Sequence, residues 1–219
     1  MKIAIDGPAA SGKSAVAREV SRRLGIPYLE SGLAYRAFGY LILKRKGEVT
    51  KVSWEDLKPL FGLVELVPRV GSTEVRVEGK KVEEYVATEE VGGVASLIGA
   101  VPEFREEINR YFRKVIGDSQ IVVEGRDAGT HIIPEAELKI FLTASPEERA
   151  RRRVNQLREK GVEADYGEIL RRILERDRRD MEREKYPFRP AEDAIVIDTT
   201  GRSVEEVVEE VIALARHTK

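Results

Sequence analysis

Short apolar runs alternate with amphipathic stretches along most of this chain. In the amphipathic stretches, apolar residues recur every three or four positions, as at Val16, Val20 and Leu24, which is the spacing of one helix face. Strands that alternate with helices are typical of a doubly wound α/β fold with a parallel sheet. Five runs are predicted to form the parallel strands, at 2–6, 26–29, 120–124, 138–142 and 194–198.

The segment 63–82 departs from this pattern. Apolar and polar residues alternate singly there, and Gly71-Ser72 and Gly79-Lys80 have the composition of tight turns. We therefore expect a small antiparallel sheet that is inserted into the α/β core. Further helices are predicted at 33–46, 54–61, 88–98, 102–116 and 203–216.

Two more predicted helices, at 146–160 and 166–185, are rich in both arginine and acidic residues. One interpretation is a pair of solvated helices with salt bridges between neighbouring turns. The other is that guanidinium groups along the second helix bind phosphates. On a helical wheel, the apolar face of the second helix comprises Leu170, Ile173, Leu174 and Met181. The stripe on the opposite side comprises Arg172, Arg176, Arg179 and Arg183, with Asp180 at its edge.

The first strand runs into a glycine-rich loop that precedes the first helix. The loop sequence Gly7-Pro-Ala-Ala-Ser-Gly-Lys-Ser14 fits G-x-x-x-x-G-K-[ST], which indicates a phosphate-binding loop for ATP or GTP. Its N–H groups and the positive end of the helix dipole favour anions. Lys13 is expected to reach the outer phosphates, and Ser14 to ligate Mg²⁺. The expected nucleotide-binding residues of the loop are Gly7, Pro8, Ala9, Ala10, Ser11, Gly12, Lys13, Ser14 and Ala15.

Polar residues follow two other predicted strands directly. Glu30-Ser31-Gly32 comes after the second strand, and Gly125-Arg126-Asp127 comes after the third. Ligands of doubly wound sheets bind beyond the carboxyl ends of the parallel strands. We therefore expect both segments to lie beside the phosphate-binding loop, in one ligand site.

Composition narrows the possible classes of protein. The chain has 219 residues, 38 of them basic and 39 acidic, so its net charge of -1 does not favour nucleic acid or membrane binding. There is no cysteine, and His131 and His217 are the two histidines, which excludes disulfides, thiolate metal sites and a histidine-rich metal site. No apolar stretch has the length of a membrane span, and no signal peptide is recognisable, so we expect a cytoplasmic protein of one domain.

A phosphate-binding loop occurs in switches, motors and kinases alike. The chain has neither the N-K-x-D motif of a guanine-binding switch nor an apolar strand that ends in Asp-Glu, as motor ATPases have. A small phosphoryl-transfer enzyme fits the remaining features, because such catalysis consists of positioning and charge neutralisation. If the acceptor is itself a phosphate, several arginines and a lid that excludes water are needed.

Four segments in one register resemble the bacterial cytidylate kinases, which are phosphate-loop nucleoside monophosphate kinases. The first is the loop described above. The others are Glu30-Ser-Gly-Leu-Ala-Tyr-Arg36, Glu124-Gly-Arg-Asp-Ala-Gly-Thr130 and Glu175-Arg-Asp-Arg-Arg-Asp-Met-Glu-Arg183. The resemblance implies transfer of the γ-phosphate of ATP to CMP or dCMP with Mg²⁺. Glu30 and Glu124 stand where the family has aspartate, so both carboxylates lie one methylene further out.

The resemblance also implies the roles of individual residues. Lys13, Arg126, Arg176 and Arg183 would be catalytic. The acceptor nucleotide would be bound by Ser31, Arg36, Ser96, Arg105, Arg126, Asp127, Arg176, Asp180 and Arg183, with Ser96, Arg105 and Asp127 reading cytosine. Arg153 and Arg158 would bind ATP from the lid, and Ser14 would be the metal ligand. The chemistry agrees, because a carboxylate and an arginine complement the amino group and the acceptors of cytosine.

The implied organisation is one kinase domain in three parts. The core would take about 1–32, 116–150 and 186–219, the inserted lobe for the monophosphate about 33–115, and the arginine-rich lid about 151–185. We expect a monomer whose partners are ATP and CMP or dCMP, without nucleic acid or membrane. Two alternatives stay open. One is a kinase that acts on UMP, AMP or another small molecule, and the other is an ATP-gated RNA-binding protein.

Overall fold

The computed structural model describes residues 1–218, and the last residue of the predicted core segment, 219, lies outside the described residues. Each of the five predicted parallel strands is present within one residue of its expected bounds. The strands are β1 Lys2–Asp6, β2 Pro27–Glu30, β3 Val64–Val70, β4 Ser72–Val77, β5 Lys80–Lys81, β6 Ile121–Gly125, β7 Leu138–Thr143 and β8 Ile195–Asp198.

The predicted helices are also present, with small changes at their ends, and the structure adds one short helix, α4, that was not predicted. The helices are α1 Lys13–Leu24, α2 Gly32–Lys46, α3 Trp54–Leu57, α4 Glu83–Val86, α5 Glu89–Ile98, α6 Pro102–Ile116, α7 Pro146–Glu159, α8 Tyr166–Met181 and α9 Val204–His217. The predicted helix at 54–61 divides into α3 and a 3₁₀ segment, Lys58–Leu63, and a π-type turn occupies Ala128–Ile132.

All eight strands belong to one sheet, in the order β5-β4-β3-β2-β6-β1-β7-β8. The five strands from β2 to β8 in that order run parallel, which confirms the predicted α/β fold. β1 lies between β6 and β7, with Asp6 opposite both Gly125 and Phe141. The carboxyl ends of β1 and β6 therefore meet at the same edge of the sheet, where the phosphate-binding loop begins.

The antiparallel strands do not form the separate inserted sheet that we expected. β3 pairs with the free edge of β2 through Pro27–Val70 and Tyr28–Arg69, so the hairpin extends the main sheet. The side chain of Thr73 strengthens this junction, because its hydroxyl donates to the Tyr28 carbonyl at 2.7 Å and accepts from the Glu30 amide at 2.8 Å. An uncovered edge of β2 would leave backbone groups without partners, and the hairpin supplies them.

Helices cover both faces of the sheet. On one face, α1 and α9 pack against Ile3, Ile5 and Ile140. On the other, α2, α5 and α6 pack against Ala4 and Val123. The alternation of side chains along each buried strand assigns neighbouring residues to opposite cores. Within residues 1–218, no helix combines the length and apolarity that crossing a bilayer requires.

The predicted apolar face of α8 is wrong in part. Ile173 is buried, but Leu174 and Met181 are 49% and 61% exposed, whereas Asp180 is only 2% exposed. The helix also ends at Met181, four residues earlier than predicted, so Arg183 lies in the segment that follows it. A helical wheel identifies the buried side of a helix only where apolar side chains determine it. In the fold, the buried side of α8 instead faces a cleft in which charged groups pair with each other.

Candidate active site

The phosphate-binding loop joins the end of β1 to the start of α1. Gly12 has φ 90° and Ala10 has φ 59°, left-handed conformations that turn the backbone around the loop. Gly7 lies against β7, where an added Cβ would be 2.4 Å from the carbonyl oxygen of Leu142. Within the loop, Gly7, Pro8 and Ser11 are buried. The cleft above the loop is lined by the other predicted members, Ala9, Ala10, Gly12, Lys13, Ser14 and Ala15.

Glu124, at the end of β6, is the centre of the polar contacts beside the loop. Its carboxylate accepts from Ser14 Oγ at 3.1 Å and from the hydroxyl of Tyr28 at 3.0 Å. Lys13 Nζ lies 3.5 Å from Glu124 Oε1, and burial lowers the pKa of Lys13. The Tyr28 hydroxyl is also 3.2 Å from Glu30, whose pKa is raised to about 7 by burial and by the neighbouring charge of Glu124.

These groups fit a magnesium ion that is held mainly by phosphates and water. Ser14 and Glu124 offer oxygen atoms, the ligands that Mg²⁺ prefers. Among residues 1–218, no three His, Cys, Asp or Glu side chains come together as a metal cage. Mg²⁺ in nucleotide sites needs no such cage, because it takes one or two protein oxygens and completes its shell with phosphate and water.

Asp6 organises the loop that follows β6. Its carboxylate, which is 5% exposed, accepts from the amides of Ala128 and Gly129, both at 2.8 Å. Burial raises its pKa to about 7 in spite of these two bonds. Asp127 immediately precedes these two amides, so Asp6 fixes the position of the backbone that carries the Asp127 side chain.

Arg105 and Asp127 form a pair inside the cleft. Arg105, on α6, is 5% exposed, and its Nη1 donates to Asp127 Oδ2 and to the hydroxyl of Tyr35, each at 3.2 Å. Tyr35 comes from α2, so three elements converge on this point. The pair presents a carboxylate and a guanidinium at the same wall, which is the complement predicted for the hydrogen-bonding edge of cytosine.

A second group of charges surrounds Asp180 at the end of α8. Arg126 forms an ion pair with its buried carboxylate, and Arg183 donates to it at 2.6 Å. Arg176 Nε lies 4.0 Å away. Burial and the neighbouring guanidinium groups lower the pKa of Arg126, and they lower the pKa of Arg176 and of Arg183 to about 10. With a pKa of about 10, Arg176 and Arg183 still keep their protons at neutral pH. The crowding therefore favours an anionic ligand, which would relieve the repulsion.

Arg36 and Ser96 line the wall opposite, where α2 packs on α5. Arg36 Nη1 donates to the carbonyls of Val86 at 2.8 Å and Thr88 at 3.1 Å. Ser31, at the start of α2, donates to the Glu124 carbonyl at 2.8 Å and thereby joins this wall to β6. The structure brings Ser31, Arg36, Ser96, Arg105, Arg126, Asp127, Arg176, Asp180 and Arg183 to one cleft of about 660 Å³.

The two remaining arginines of the prediction differ in position. Arg153, on α7, lines the cleft and forms an ion pair with Glu89 at the start of α5, so it contacts the opposite wall. Arg158 does not lie in the cleft. It is exposed near the end of α7 and borders a separate depression beside the loop 161–165.

Several residues that hold the site together were not predicted from the sequence. Arg149, which is buried, pairs with Asp177 of α8 at 2.5 Å and donates to the carbonyl of Ala144 at 3.0 Å. Arg152 donates to the Thr199 carbonyl at 2.6 Å, and Thr199 in turn donates to Ser11 of the phosphate-binding loop at 3.0 Å. Asp6 was detectable, because a carboxylate closed an apolar strand directly before the loop. Arg149 and Arg152 could not be distinguished by sequence from the other arginines of the same helix.

Comparisons with known proteins identify the family of this chain. A family model described as cytidylate kinase matches residues 3–217. A cytidylate kinase from Aquifex aeolicus is 61% identical over 216 residues, which are 98% of this chain and 95% of that protein. One from Carboxydothermus hydrogenoformans is 42% identical over 98% of this chain and 96% of its own. A crystal structure of an uncharacterized protein from Eubacterium ventriosum shares the fold, with TM-score 0.55 and 13% identity over 98% of this chain and 97% of its own.

Proposed function

Because this chain belongs to the cytidylate kinase family, we propose that its cleft is where the γ-phosphoryl group of ATP passes to CMP or dCMP. The activity itself, phosphorylation of CMP and dCMP by ATP, is that of the family. One observation carries the assignment of the site. The phosphate-binding loop and the Arg105–Asp127 pair line the same cleft of about 660 Å³. A donor phosphate and an acceptor base can therefore be bound side by side.

On the donor side, we assign the phosphates of ATP to the loop between β1 and α1. Backbone N–H groups around Gly12 and the start of α1 favour the negative charge. Lys13 reaches over the loop towards the cleft, with Nζ 3.4 Å from the Pro8 carbonyl and 3.5 Å from Glu124. Arg153 approaches from α7. Arg158 is left out of the assignment, because it lies outside the cleft.

Mg²⁺ would be held by Ser14, with Glu124 beside it, and would neutralise charge on the donor phosphates. The hydroxyl of Tyr28 and the hydroxyl of Ser14 both donate to Glu124 Oε2, which holds the carboxylate in one orientation. The two glutamates that replace the family's aspartates are thus tied to each other through Tyr28.

On the acceptor side, Asp127 and Arg105 would read cytosine, and Ser96 would border the base. Asp127 accepts from the amino group, and Arg105 donates to a ring acceptor. Uracil has a carbonyl where cytosine has the amino group, so it would place oxygen against the Asp127 carboxylate. A site built from such buried polar groups discriminates by roughly 10⁴.

The acceptor phosphate would lie among Arg36, Arg126 and Arg176, with Asp180 and Arg183 near the sugar. An oxygen of this phosphate attacks the γ-phosphorus, the bond to the β–γ bridging oxygen breaks, and ADP leaves. The attacking oxygen of a monophosphate already carries negative charge. The protein's task is therefore to bring two anions together and to neutralise the charge that spreads over the transferred group.

The division into a core, an inserted lobe at about 33–115 and a lid at about 151–185 is likewise a proposal. It is supported by the way the cleft is lined from both segments, with Arg36 and Ser96 on one wall and Arg153 and Arg176 on the other. A lid that closes over both nucleotides would exclude water, which otherwise competes as acceptor. A monomer located in the cytoplasm stays a prediction from the sequence.

The test is a panel of nucleoside monophosphates with the wild type and with Asp127→Asn. We expect kcat/KM for CMP and dCMP to exceed that for UMP and AMP by at least about 10³ in the wild type. Asp127→Asn should reduce this preference over UMP while the KM for ATP stays within about twofold, because the amide no longer offers only acceptor atoms. Coupled ADP release measures both.

Three outcomes would contradict the proposal. A wild type that prefers AMP or UMP would show that the pair does not read cytosine and would support the alternative acceptors. Equal losses for CMP, UMP and ATP in Asp127→Asn would show that Asp127 is structural. RNA affinity that falls steeply with salt would instead support the RNA-binding alternative.

A further inference from the structure

The segment that connects α8 to β8, residues 182–194, crosses the site without a role in the assignments above, apart from Arg183 at its start. We call it the connecting segment. Its Phe188 amide donates to the Asp180 carbonyl at 2.8 Å, next to the ion pair with Arg126. Asp193 accepts from the buried Lys139 of β7 at 3.0 Å. The segment is therefore anchored at both ends, on the lid helix and on the central sheet.

Two aromatic rings of the connecting segment contact two arginines of the acceptor site. The Cζ atom of Arg105 lies 5.4 Å from the centre of the Tyr186 ring. The Cζ atom of Arg126 lies 5.6 Å from the centre of the Phe188 ring. Both distances are those of cation–π contacts, which are strongest where the cation is removed from water.

The ring of Tyr186 limits the orientation of the Arg105 guanidinium, which the hydrogen bonds of Arg105 leave undetermined. Both of its hydrogen bonds given above leave from Nη1, and its buried Nε has no hydrogen-bond partner within residues 1–218. Bonds from a single nitrogen leave the guanidinium plane free to tilt. Tyr35, with its ring centre 5.8 Å from Cζ, and Tyr186 are two rings that together limit that tilt.

The backbone of Tyr186 is strained. Its φ is 58°, in the left-handed region that glycine adopts freely and that other residues occupy only under strain. Pro187 follows, which narrows the allowed conformations further. The ring is packed edge-on against His131, with centres 4.7 Å apart. Strained conformations persist only where the surrounding structure holds them, and they cluster at binding sites.

Phe188 of the same segment is buried. Its ring packs on Phe141 of β7 with centres 5.4 Å apart and lies against the guanidinium of Arg126. Two adjacent contacts of one short segment thus support the two ends of the acceptor nucleotide, the base at Arg105 and the phosphate at Arg126.

We propose that Tyr186 and Phe188 are positioning residues for the acceptor, Tyr186 through Arg105 for base discrimination and Phe188 through Arg126 for phosphoryl transfer. This rests on the proposed roles of the two arginines. Because the segment is anchored on both α8 and β7, it holds the two rings between the helix and the central sheet.

The experiment compares Tyr186→Gly with Tyr186→Phe. Glycine removes the ring but relieves the left-handed strain, which offsets part of the packing that is lost, while phenylalanine keeps the ring and removes the hydroxyl. In Tyr186→Gly we expect the CMP-over-UMP ratio of kcat/KM to fall about tenfold, mainly through KM for CMP, as loss of a desolvated cation–π contact allows. Tyr186→Phe should stay within about twofold of the wild type, since the ring remains.

Phe188→Leu tests the second arm, because leucine keeps apolar bulk in the core and removes the aromatic face. We expect kcat to fall about tenfold with the CMP-over-UMP ratio unchanged, the reverse of the Tyr186 result. Arg189→Ala, an exposed position of the same segment, is the matched control and should leave all parameters within about twofold. Thermal unfolding of each variant is measured in parallel.

The outcomes are distinct. An unchanged CMP-over-UMP ratio in Tyr186→Gly overturns the role of Tyr186, and parallel losses for CMP and ATP with a lowered Tm would show that it is merely structural. An unchanged kcat in a folded Phe188→Leu overturns the role of Phe188. Failure of the proposed function appears elsewhere, as a wild type without a preference for CMP, so the two failures cannot be confused.

Discussion

At the scale of single residues, the main feature of this protein is charge that is buried next to charge. Asp6, Glu124, Arg105 and Asp180 are each at most 5% exposed. Burial of such groups is costly unless each is paired, and here almost every one has a partner from another element. The pairs therefore stabilise the site mainly by defining one geometry, and removal of one partner would leave the other buried without compensation.

For Asp6, the cost of burial can be measured as a change in the free energy of unfolding with pH. Its pKa of about 7 in the folded protein exceeds its ordinary value of 3.8, so between these values the folded protein binds a proton that the unfolded chain releases. The free energy of unfolding should therefore decrease as pH rises from about 4 to about 7, by up to about 4 kcal/mol from this group. In Asp6→Asn that part of the slope should be absent. Urea unfolding of both proteins across this range measures it.

Asp118→Asn, at an exposed position, serves as the control and should keep the slope of the wild type. Identical slopes for Asp6→Asn and the wild type would show that Asp6 is ionised throughout the range.

Asp6→Asn should also weaken the binding of CMP more than the binding of ATP, because an amide cannot accept from both Ala128 and Gly129 as the carboxylate does.

At the scale of elements, the site depends on the close approach of α2 and α5. Gly39 of α2 faces α5, where an added Cβ would lie 3.1 Å from the Val91 carbonyl oxygen and 3.3 Å from the Ala95 amide nitrogen. Neither backbone atom can move without moving the helix. Arg36 and Ser96 are carried by these two helices, so their separation sets the width of the acceptor side of the cleft.

Gly39→Val should force the two helices apart. We expect a loss of stability of about 1–3 kcal/mol from overpacking and a severalfold higher KM for CMP, with KM for ATP much less affected. Gly62→Ala is the matched control, because an added Cβ there has no atom within 4 Å, and it should be neutral or slightly stabilising. Thermal unfolding and steady-state kinetics distinguish the cases. Equal effects on both nucleotides would mean that the helix pair does not define the acceptor side specifically.

At the scale of the whole molecule, the cleft collects positive charge that the chain as a whole lacks. Nine lysine and arginine side chains and six acidic ones line it, although the net charge of the sequence is -1. Burial and, after it, the repulsion between neighbouring guanidinium groups lower the pKa of Arg126, Arg176 and Arg183. Their attraction for anions should steer both substrates into the same cleft.

Inorganic phosphate should accordingly stabilise the folded protein, since it binds the folded state and relieves this repulsion. We expect a rise in Tm of about 3–5 °C at phosphate concentrations about tenfold above its Kd, relative to chloride of equal ionic strength. Arg176→Gln should reduce the shift. Arg171→Gln, on the exposed side of the same helix, should not. A shift that is equal in all three proteins would assign the phosphate to some other site.

The comparison of sequence with structure shows where local patterns suffice. The strands β1 and β6 were placed within one residue because their apolar runs are short, bounded and buried on both faces. The phosphate-binding loop was found because its chemistry is encoded in contiguous residues. α8 shows the opposite case, since its apolar residues Leu174 and Met181 are exposed and its buried side includes Asp180. Helical periodicity reports a buried face only where burial is driven by apolar contacts.

The sequence by itself determined the α/β alternation, the phosphate-binding loop and, through the order of its motifs, the family. These depend on residues close together in the chain, whose conformations are set by local sterics and hydrogen bonding. Only the tertiary structure decided that the hairpin extends the main sheet, that Asp6 holds the Asp127 loop, and that Tyr186 and Phe188 support Arg105 and Arg126. Such contacts join residues far apart in the chain, and which of several similar side chains meet depends on how whole elements pack.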